Sequence, residues 1–198
     1  AARQLKRSDS GAIGIIVPDI SNAFFCELTR HLEWMTRQKG RNVFISSSFY
    51  DYEIEDENIR ALMENRVSGI ILSGAGDQTY LHLRNHLGKV PIVFLGDNIP
   101  EGMVSQITVN NYEGTRMATR YLISLGHREL MFLGGRDFSV THRRRHQGFL
   151  DAAAAAANVR YDIFTIFSGS KIEDGYRTGL AYFTHCIENK QPIATGIL

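Results

Sequence analysis

The sequence predicts an α/β fold built from two doubly wound parallel-sheet subdomains. Strand-like and helix-like segments alternate along the 198 residues, which is typical of parallel sheets with helices on both faces. The strand-like segments are continuous apolar runs, as expected for strands that are buried on both faces. The alternation continues on either side of a central β-α-β unit at residues 109–135, so we expect two similar halves.

In the first half the predicted elements follow each other as strand and helix in turn. Ser21 or Asn22 can cap the first helix, and apolar residues recur at helical spacing from Phe25 to Met35, which predicts one apolar face. The predicted strands are 12–17, 43–48, 69–72, 92–95 and 107–109, and the predicted helices are 23–39, 53–65 and 79–87.

The second half contains fewer predicted strands than the first. Gly126 is suited to the left-handed conformation that ends a helix. The predicted helices are 112–125, 140–157 and 172–187, and the predicted strands are 130–133, 163–167 and a final run at 193–198. A last strand with nothing after it leaves the sheet unfinished. We therefore expect a fragment that lacks the C-terminal part of the second subdomain.

Composition and charge favour an ordinary globular chain in the cytoplasm. Hydrophobic residues make up 43% and charged residues 22%, and the net charge of +1 does not indicate a polycationic nucleic-acid surface. No apolar run approaches the ~20 residues of a membrane helix, and the N-terminus lacks the apolar region of a signal peptide. Cys26 and Cys186 fall in predicted helices, where we expect reduced core thiols.

The sequence gives little support to a catalytic, cofactor or metal site. It lacks GxGxxG after the first strand, and it also lacks the motifs GxxxxGK[ST], GxSxG and HExxH. His142 and His146 could pair on a metal, but without a third ligand nearby we favour a solvated helix face. The acidic run at 53–57 is interpreted as an exposed first helical turn rather than an acid/base pair. We therefore expect no enzyme activity, no cofactor and no metal.

Polar and aromatic residues instead collect where the predicted strands end, which is where ligands bind in parallel sheets. Aromatic faces stack on sugar rings, and guanidinium groups offer paired donors, so this pattern favours a small polar ligand such as a sugar. Phe24 and Phe25 could equally be core residues, and the arginines could be a solvated helix start. The residues in question are Asp19, Asn22, Phe24, Phe25, Ser47, Ser48, Tyr50, Gly96, Asp97, Asn110, Thr141 and Arg143 to Arg145.

At these residues the sequence resembles the LacI-type family of bacterial transcription repressors, and the resemblance runs over the whole chain. The stretch 132–149 is also similar to the maltose-regulon repressor branch. The order and spacing of the matching motifs carry the resemblance: AARQL, IGIIVPDISNAFF, VSGIIL, PIVFLG, VNNYEG, LISLGHREL, FLGG and RHQGF.

The resemblance implies an effector-binding core of the periplasmic-binding-protein type I, preceded by a hinge helix and a DNA-binding helix-turn-helix. It implies three parts: a hinge remnant at 1–10, an N-terminal subdomain at 11–110 and an incomplete C-terminal subdomain at 111–198. AARQL matches the second half of the hinge helix, where Leu5 takes the position of a minor-groove wedge. Operator DNA would then be bound only through the helix-turn-helix, which is absent from this chain.

The resemblance also implies roles at the strand ends. Phe24 and Phe25 match positions that stack on the effector, and Thr141 and Arg145 match effector-binding positions. Asp19 and Asn110 match cleft-lining positions, and Asn22 and Asp97 complete the predicted site. The chain departs from its relatives at three places, which are Gly96 before Asp97, Asn110 in place of aspartate, and Ser170 in place of an aromatic lid.

The resemblance leads to the expectation of a homodimeric repressor core that senses a sugar or a sugar phosphate and has no membrane partner. Effector binding would move one subdomain against the other and change the hinge helices, and helices 23–39 and 53–65 would form the dimer surface. The alternative is a periplasmic sugar-binding protein that feeds a transporter, and the third class is an enzyme with a doubly wound fold.

Overall fold

The computed structural model describes residues 10–134, 139–165 and 172–198. The chain divides into two compact units, Ala1–Val109 and Asn110–Leu198. The predicted hinge residue Leu5 and the residue Ser170 lie outside the described residues.

The first unit contains a parallel sheet of five strands in the order β2-β1-β3-β4-β5. Most elements begin and end within a few residues of their predicted positions. The fifth strand ends two residues earlier than predicted, and Val109 is exposed after it. The elements are β1 Ile13–Val17, α1 Ala23–Gln38, β2 Val43–Ser47, α2 Tyr52–Glu64, β3 Gly69–Leu72, α3 Thr79–Leu83 with a 3₁₀ turn Arg84–His86, β4 Ile92–Leu95 and β5 Ser105–Ile107.

The core of the first unit lies mainly between the sheet and α2. Ile16 and Phe94 from the strands pack in one buried cluster with Ile59 from α2. Helix α1 contributes only Thr29 to the fully buried residues, and Met35 is exposed although it was predicted on the apolar face. Helix α1 contacts β1 and the edge strand β2. Because β2 is the last strand on that side, the sheet is too narrow to cover the Met35 side of the helix.

The second unit contains a parallel three-stranded sheet in the order β7-β6-β8, with the same neighbour pattern as β2-β1-β3 in the first unit. Tyr182 and Cys186 are buried against one face of the sheet, and Phe149 against the other. Cys186 is therefore a core thiol as predicted, whereas Cys26 on α1 is exposed and that prediction was wrong. The elements are α4 Asn111–Ser124, β6 Glu129–Gly134, α5 Val140–Ala154, β7 Arg160–Thr165, α6 Ile172–Glu188 and β8 Gly196–Ile197.

Helices α4 and α5 pack against each other closely, and a glycine makes this possible. A Cβ atom on Gly148 would collide with the carbonyl oxygen of Tyr112 and would lie 3.1 Å from the backbone nitrogen of Arg116. The hydroxyl of Tyr112 also donates to Asp151 Oδ2 at 2.8 Å. This contact fixes the first turns of α4 against α5, where several predicted site residues lie.

Candidate functional site

Two of the predicted site residues shape the turn between β1 and α1. Asp19 Oδ1 accepts the backbone N–H of Ser21 at 2.8 Å and its hydroxyl at 2.7 Å. Asn22 Oδ1 accepts the N–H of Phe24 at 3.0 Å and so caps α1, as the sequence predicted. Both residues therefore lie at the carboxyl end of β1 and hold the helix start that carries the two phenylalanines.

The aromatic pair at the start of α1 is a surface feature rather than a core one. The rings of Phe24 and Phe25 meet edge to face with centroids 5.2 Å apart. Phe24 is 68% exposed and Phe25 is half-buried, which excludes the core interpretation for Phe24. An exposed ring at a strand end is suited to stacking on the apolar face of a sugar.

A strained turn follows the neighbouring strand β2. Phe49 and Tyr50 adopt positive φ angles of 54° and 61°, which bulky residues rarely adopt. Phe49 is 68% exposed, and the sequence analysis did not identify it. The backbone N–H of Ile20 donates to Ser47 Oγ at 3.3 Å and links the turns after β1 and β2. Strain of this kind concentrates at binding sites, so the turn extends the candidate site to Phe49.

The end of β4 explains one departure from the family pattern. Gly96 has a φ of +144°, and a Cβ atom there would lie 3.0 Å from Asn98 Oδ1 and 3.1 Å from Phe94 Cε1. A side chain is therefore disfavoured at this position, and the half-buried Asp97 follows it. Asn98 donates to the carbonyl oxygen of Gly76 at 2.7 Å and ties the loop after β4 to the loop after β3.

The acidic run at the start of α2 is not uniformly exposed, and that prediction was wrong for Glu55. The Glu55 side chain is fully buried, its Oε2 accepts the backbone N–H of Ala75, and its Oε1 lies 2.9 Å from His82 Nε2. The loop after β3 reaches α2 through this Ala75 N–H, and His82 of α3 lies on the other carboxylate oxygen, which accounts for the burial of Glu55. Glu53 and Glu57 are exposed as predicted.

Asp56 makes a second acid–histidine pair beside the first. It interacts with His86 Nε2 and with Arg60. Burial raises the pKa of Asp56, but the hydrogen bonds from His86 and Arg60 lower it by more, so the pKa lies below its usual value. The two pairs join α2 to α3 and to its 3₁₀ turn.

In the second unit the predicted residues lie at the starts of α4 and α5. Asn110 Oδ1 accepts the N–H of Glu113 at 3.0 Å and caps α4. Arg145 donates from Nε to Asn111 Oδ1 at 2.8 Å, and Thr141 lies one turn before Arg145 on α5. Sequence reasoning missed Asn111, although its place beside Asn110 at a strand–helix junction was a usable signal.

A shallow cavity of about 520 Å³ lies at the same helix starts in the second unit. Two of the three consecutive arginines, Arg143 and Arg144, line it, and all three, including Arg145, are exposed. Its lining residues are Asn110, Tyr112, Val140, Arg143, Arg144 and Gln147. Basic and amide groups at two helix starts can bind the oxygens of a polar or anionic ligand.

The two histidines of α5 do not form the solvated face that the sequence predicted. The His142 and His146 rings lie 5.7 Å and 5.4 Å from the Phe132 ring of β6, centroid to centroid. Both are half-buried because the helix packs this face on the sheet. In the part of the chain that the structure describes, no group of three or more His, Cys, Asp or Glu side chains could hold a metal ion.

Within the same ranges, none of the helices has the length and apolar character that crossing a bilayer requires.

Comparison with known proteins identifies the family. Residues 10–180 match the model of periplasmic binding proteins and the sugar binding domain of the LacI family. The chain is 30% identical over 185 residues to the HTH-type transcriptional regulator RegA of Clostridium saccharobutylicum, covering 92% of this chain and 55% of the relative. It is also 30% identical over 149 residues to the maltose regulon regulatory protein MalI of Escherichia coli K12, covering 75% and 44%.

A solved structure shows the same fold. The periplasmic binding protein/LacI transcriptional regulator of Alkaliphilus metalliredigens, complexed with D-xylulofuranose, matches with a TM-score of 0.71 and 24% identity, covering 95% of this chain and 76% of that one. The present chain spans about half the length of the curated relatives. The chain therefore belongs to the LacI family, in which it corresponds to the effector-binding domain.

Proposed function

We propose that the chain is the ligand-sensing and dimerisation core of a LacI-type transcription repressor whose effector is a sugar or a sugar phosphate. The observation that carries this proposal is the pairing of Arg145 with Asn111, whose sequence neighbours Asn110 and Arg144 line the cavity at the starts of α4 and α5. The name of the matching family and the pentulose bound to the Alkaliphilus protein support the choice of ligand class.

Each unit supplies its own set of effector contacts in this proposal. In the first unit Phe24 stacks on the ligand, Phe25 supports it, and Asp19, Asn22 and Asp97 contribute polar groups at the strand ends. In the second unit Arg145 donates to ligand oxygens, while Thr141 and Asn110 lie within the same helix starts. A binding role fits these groups better than catalysis does.

Effector control of DNA binding would follow from a shift between two conformational states of the longer protein, which would act in the cytoplasm. The ligand favours one state only through its differential affinity, and about 1–3 kcal/mol of coupling is usual for such control. We propose that the hinge, with Leu5 as the minor-groove wedge, changes its order on the operator in response. Operator contact itself requires a helix-turn-helix outside this chain.

The proposed homodimer surface lies on α1 and the edge strand β2. Trp34 and Met35 on α1 and Ile45 on β2 are exposed apolar side chains, and Phe44 is exposed on the opposite face of β2, the face that carries α2. Solvent-exposed apolar groups on one helix and its neighbouring strand are typical of an interaction surface. The sequence-based proposal that α2 also takes part is retained.

A ligand panel tests the effector class. Pentoses, hexoses, disaccharides and their phosphates would be added to the purified protein, and its melting temperature would be followed. At a hundredfold excess over Kd a true effector adds about 2.7 kcal/mol of stability. We expect Arg145→Ala and Phe24→Ala to remove the response, while Arg160→Ala, an exposed arginine on β7, keeps it. If no sugar or sugar phosphate shifts the wild-type melting temperature, the proposed class is wrong.

The runner-up is a periplasmic sugar-binding protein, because the matching family model covers that class as well as the LacI regulators. The two candidates share a fold and differ in what precedes the core. The full-length gene product distinguishes them, since a helix-turn-helix before residue 1 supports the regulator and a signal peptide supports the binding protein.

A further inference from the structure

Two adjacent asparagines at the start of α4 have different partners. Asn110 Oδ1 accepts the backbone N–H of Glu113 at 3.0 Å, which is a helix cap. Asn111 Oδ1 accepts Nε–H of Arg145 at 2.8 Å, which is a contact between two helices. The first asparagine therefore stabilises its own helix, and the second holds a residue of α5.

Arg145 depends on this contact for its orientation. Its side chain is exposed, and within residues 10–134, 139–165 and 172–198 the bond to Asn111 is its only hydrogen bond or ion pair. An arginine side chain carries about 2 kcal/mol of rotamer entropy, so an exposed one without an anchor samples many conformations. The bond uses Nε and leaves both terminal nitrogens of the guanidinium for a ligand.

The helix packing keeps Asn111 opposite Arg145. Gly148, one turn after Arg145, lies against the carbonyl of Tyr112, the residue after Asn111. Tyr112 in turn donates to Asp151 at 2.8 Å, one turn further along α5. Contacts on successive turns of α5 thus fix the position of α4, and the Asn111–Arg145 bond belongs to a rigid junction.

We infer that Asn111 is a positioning residue that presents the two terminal nitrogens of Arg145 together to the effector. This inference rests on the proposed function. A guanidinium held at Nε offers two parallel N–H donors, so it selects ligands with two adjacent acceptor oxygens. Such a pair occurs in the vicinal hydroxyls of a sugar and in a phosphate group, and the binding experiment below separates these two sources.

The first test needs no ligand. The Nε–Hε signal of Arg145 would be followed by NMR in the wild type and in Asn111→Ala, Asn111→Asp and Asn110→Ala. We expect a slowly exchanging signal in the wild type and in Asn111→Asp, which keeps an acceptor, and an exchange-averaged signal in Asn111→Ala. Asn110→Ala is the matched control, since it loses a helix cap worth about 1 kcal/mol but leaves the Arg145 partner in place. An unchanged signal in Asn111→Ala would overturn the inference.

The second test measures affinity by calorimetry with D-xylulose and D-fructose 1-phosphate as probes. We expect Asn111→Ala to weaken binding about tenfold or more, by analogy with the loss seen when a residue that orients a metal ligand is removed. Asn111→Asp should restore it, and Asn111→Ala combined with Arg145→Ala should bind no more weakly than Arg145→Ala alone. If D-xylulose binds, Arg145 holds a pair of hydroxyls. If D-fructose 1-phosphate binds and D-xylulose does not, Arg145 holds the phosphate group. Wild-type affinity in Asn111→Ala contradicts the inference. If neither probe binds the wild type, the proposed effector class is in question and the NMR test still decides the role of Asn111.

Discussion

His82 Nε2 lies 2.9 Å from Oε1 of Glu55, and the Glu55 side chain is fully buried. The other carboxylate oxygen accepts the backbone N–H of Ala75 in the loop after β3. Glu55 therefore connects α2, α3 and a loop at the carboxyl edge of the first sheet. Buried carboxylates persist only where such partners compensate their loss of hydration.

Replacing Glu55 with alanine should destabilise the protein strongly. The change leaves the Ala75 N–H without its acceptor and removes the carboxylate that lies beside the half-buried His82 ring. We expect the free energy of unfolding to fall by about 3–5 kcal/mol, as for other broken buried pairs. Urea denaturation with the exposed Glu57→Ala as control measures this, and the control should stay within about 0.5 kcal/mol of the wild type. If the free energy of unfolding falls equally in the two variants, the buried contacts of Glu55 do not stabilise the fold.

Asp56 should make the first unit lose stability as the pH falls into the acid range. Its folded pKa is lowered, because hydrogen bonds from His86 and Arg60 outweigh the effect of burial. A lowered folded pKa contributes stability above the unfolded pKa of about 3.9, and this contribution disappears as the pH falls through the folded value. We expect Asp56→Asn to be less stable than the wild type at pH 7, with the difference shrinking below about pH 4.

Glu27 is the matched control for this pH dependence. A hydrogen bond from Arg30 also lowers its pKa, but the pair lies on the exposed surface of α1, where water and salt screen it. Urea denaturation of Glu27→Gln from pH 7 to acid should follow the wild-type curve. A difference between Asp56→Asn and the wild type that is the same at every pH would contradict the role given to Asp56.

The strands were predictable from sequence because burial on both faces requires continuous apolar runs. Residues 69–72 and 92–95 illustrate this, since the structure has β3 and β4 at the same positions. The fifth strand was misplaced because Ser105–Ile107 has only three residues, two of them polar, and pairing with β4 rather than hydropathy defines it.

The site was less predictable because its contacts join residues that are distant in sequence. Helical spacing from Ile59 and Leu62 places Glu55 on the buried face of α2, but the partners that accompany its burial, His82 and the loop at Ala75, lie 20 or more residues further along the chain. The Asn111–Arg145 bond likewise depends on how α4 packs on α5. The positive φ angles at Phe49 and Tyr50 have no local sequence signal, because such strain is imposed by the surrounding structure.

Substituting Gly148 with alanine should separate α4 from α5. The added Cβ would collide with the Tyr112 carbonyl, which is backbone and cannot move aside as a side chain can. Overpacking of this kind costs about 1–3 kcal/mol. We expect a lower melting temperature. We also expect a smaller rise of the melting temperature on adding ligand, since the contact between Asn111 and Arg145 lies in the same junction.

Gly114→Ala is the control for this substitution. Gly114 is also helical and lies on α4, but a Cβ atom there meets nothing within 4 Å. Alanine is favoured over glycine inside a helix by about 1 kcal/mol, so the control should be neutral or stabilising. A Gly148→Ala protein as stable as Gly114→Ala would show that the helices can separate without cost.

Placing a charge on α1 should disrupt the proposed homodimer. Met35 is 59% exposed beside Trp34, which is 62% exposed, and both lie on the helix next to edge strand β2. Sedimentation velocity should show a dimer for the wild type and a monomer for Met35→Lys, because a buried unpaired charge opposes association. Met117→Lys, a change at a 63% exposed methionine on α4, should remain dimeric. A monomeric wild type, or a Met35→Lys protein that still sediments as a dimer, would exclude α1 as the dimer surface.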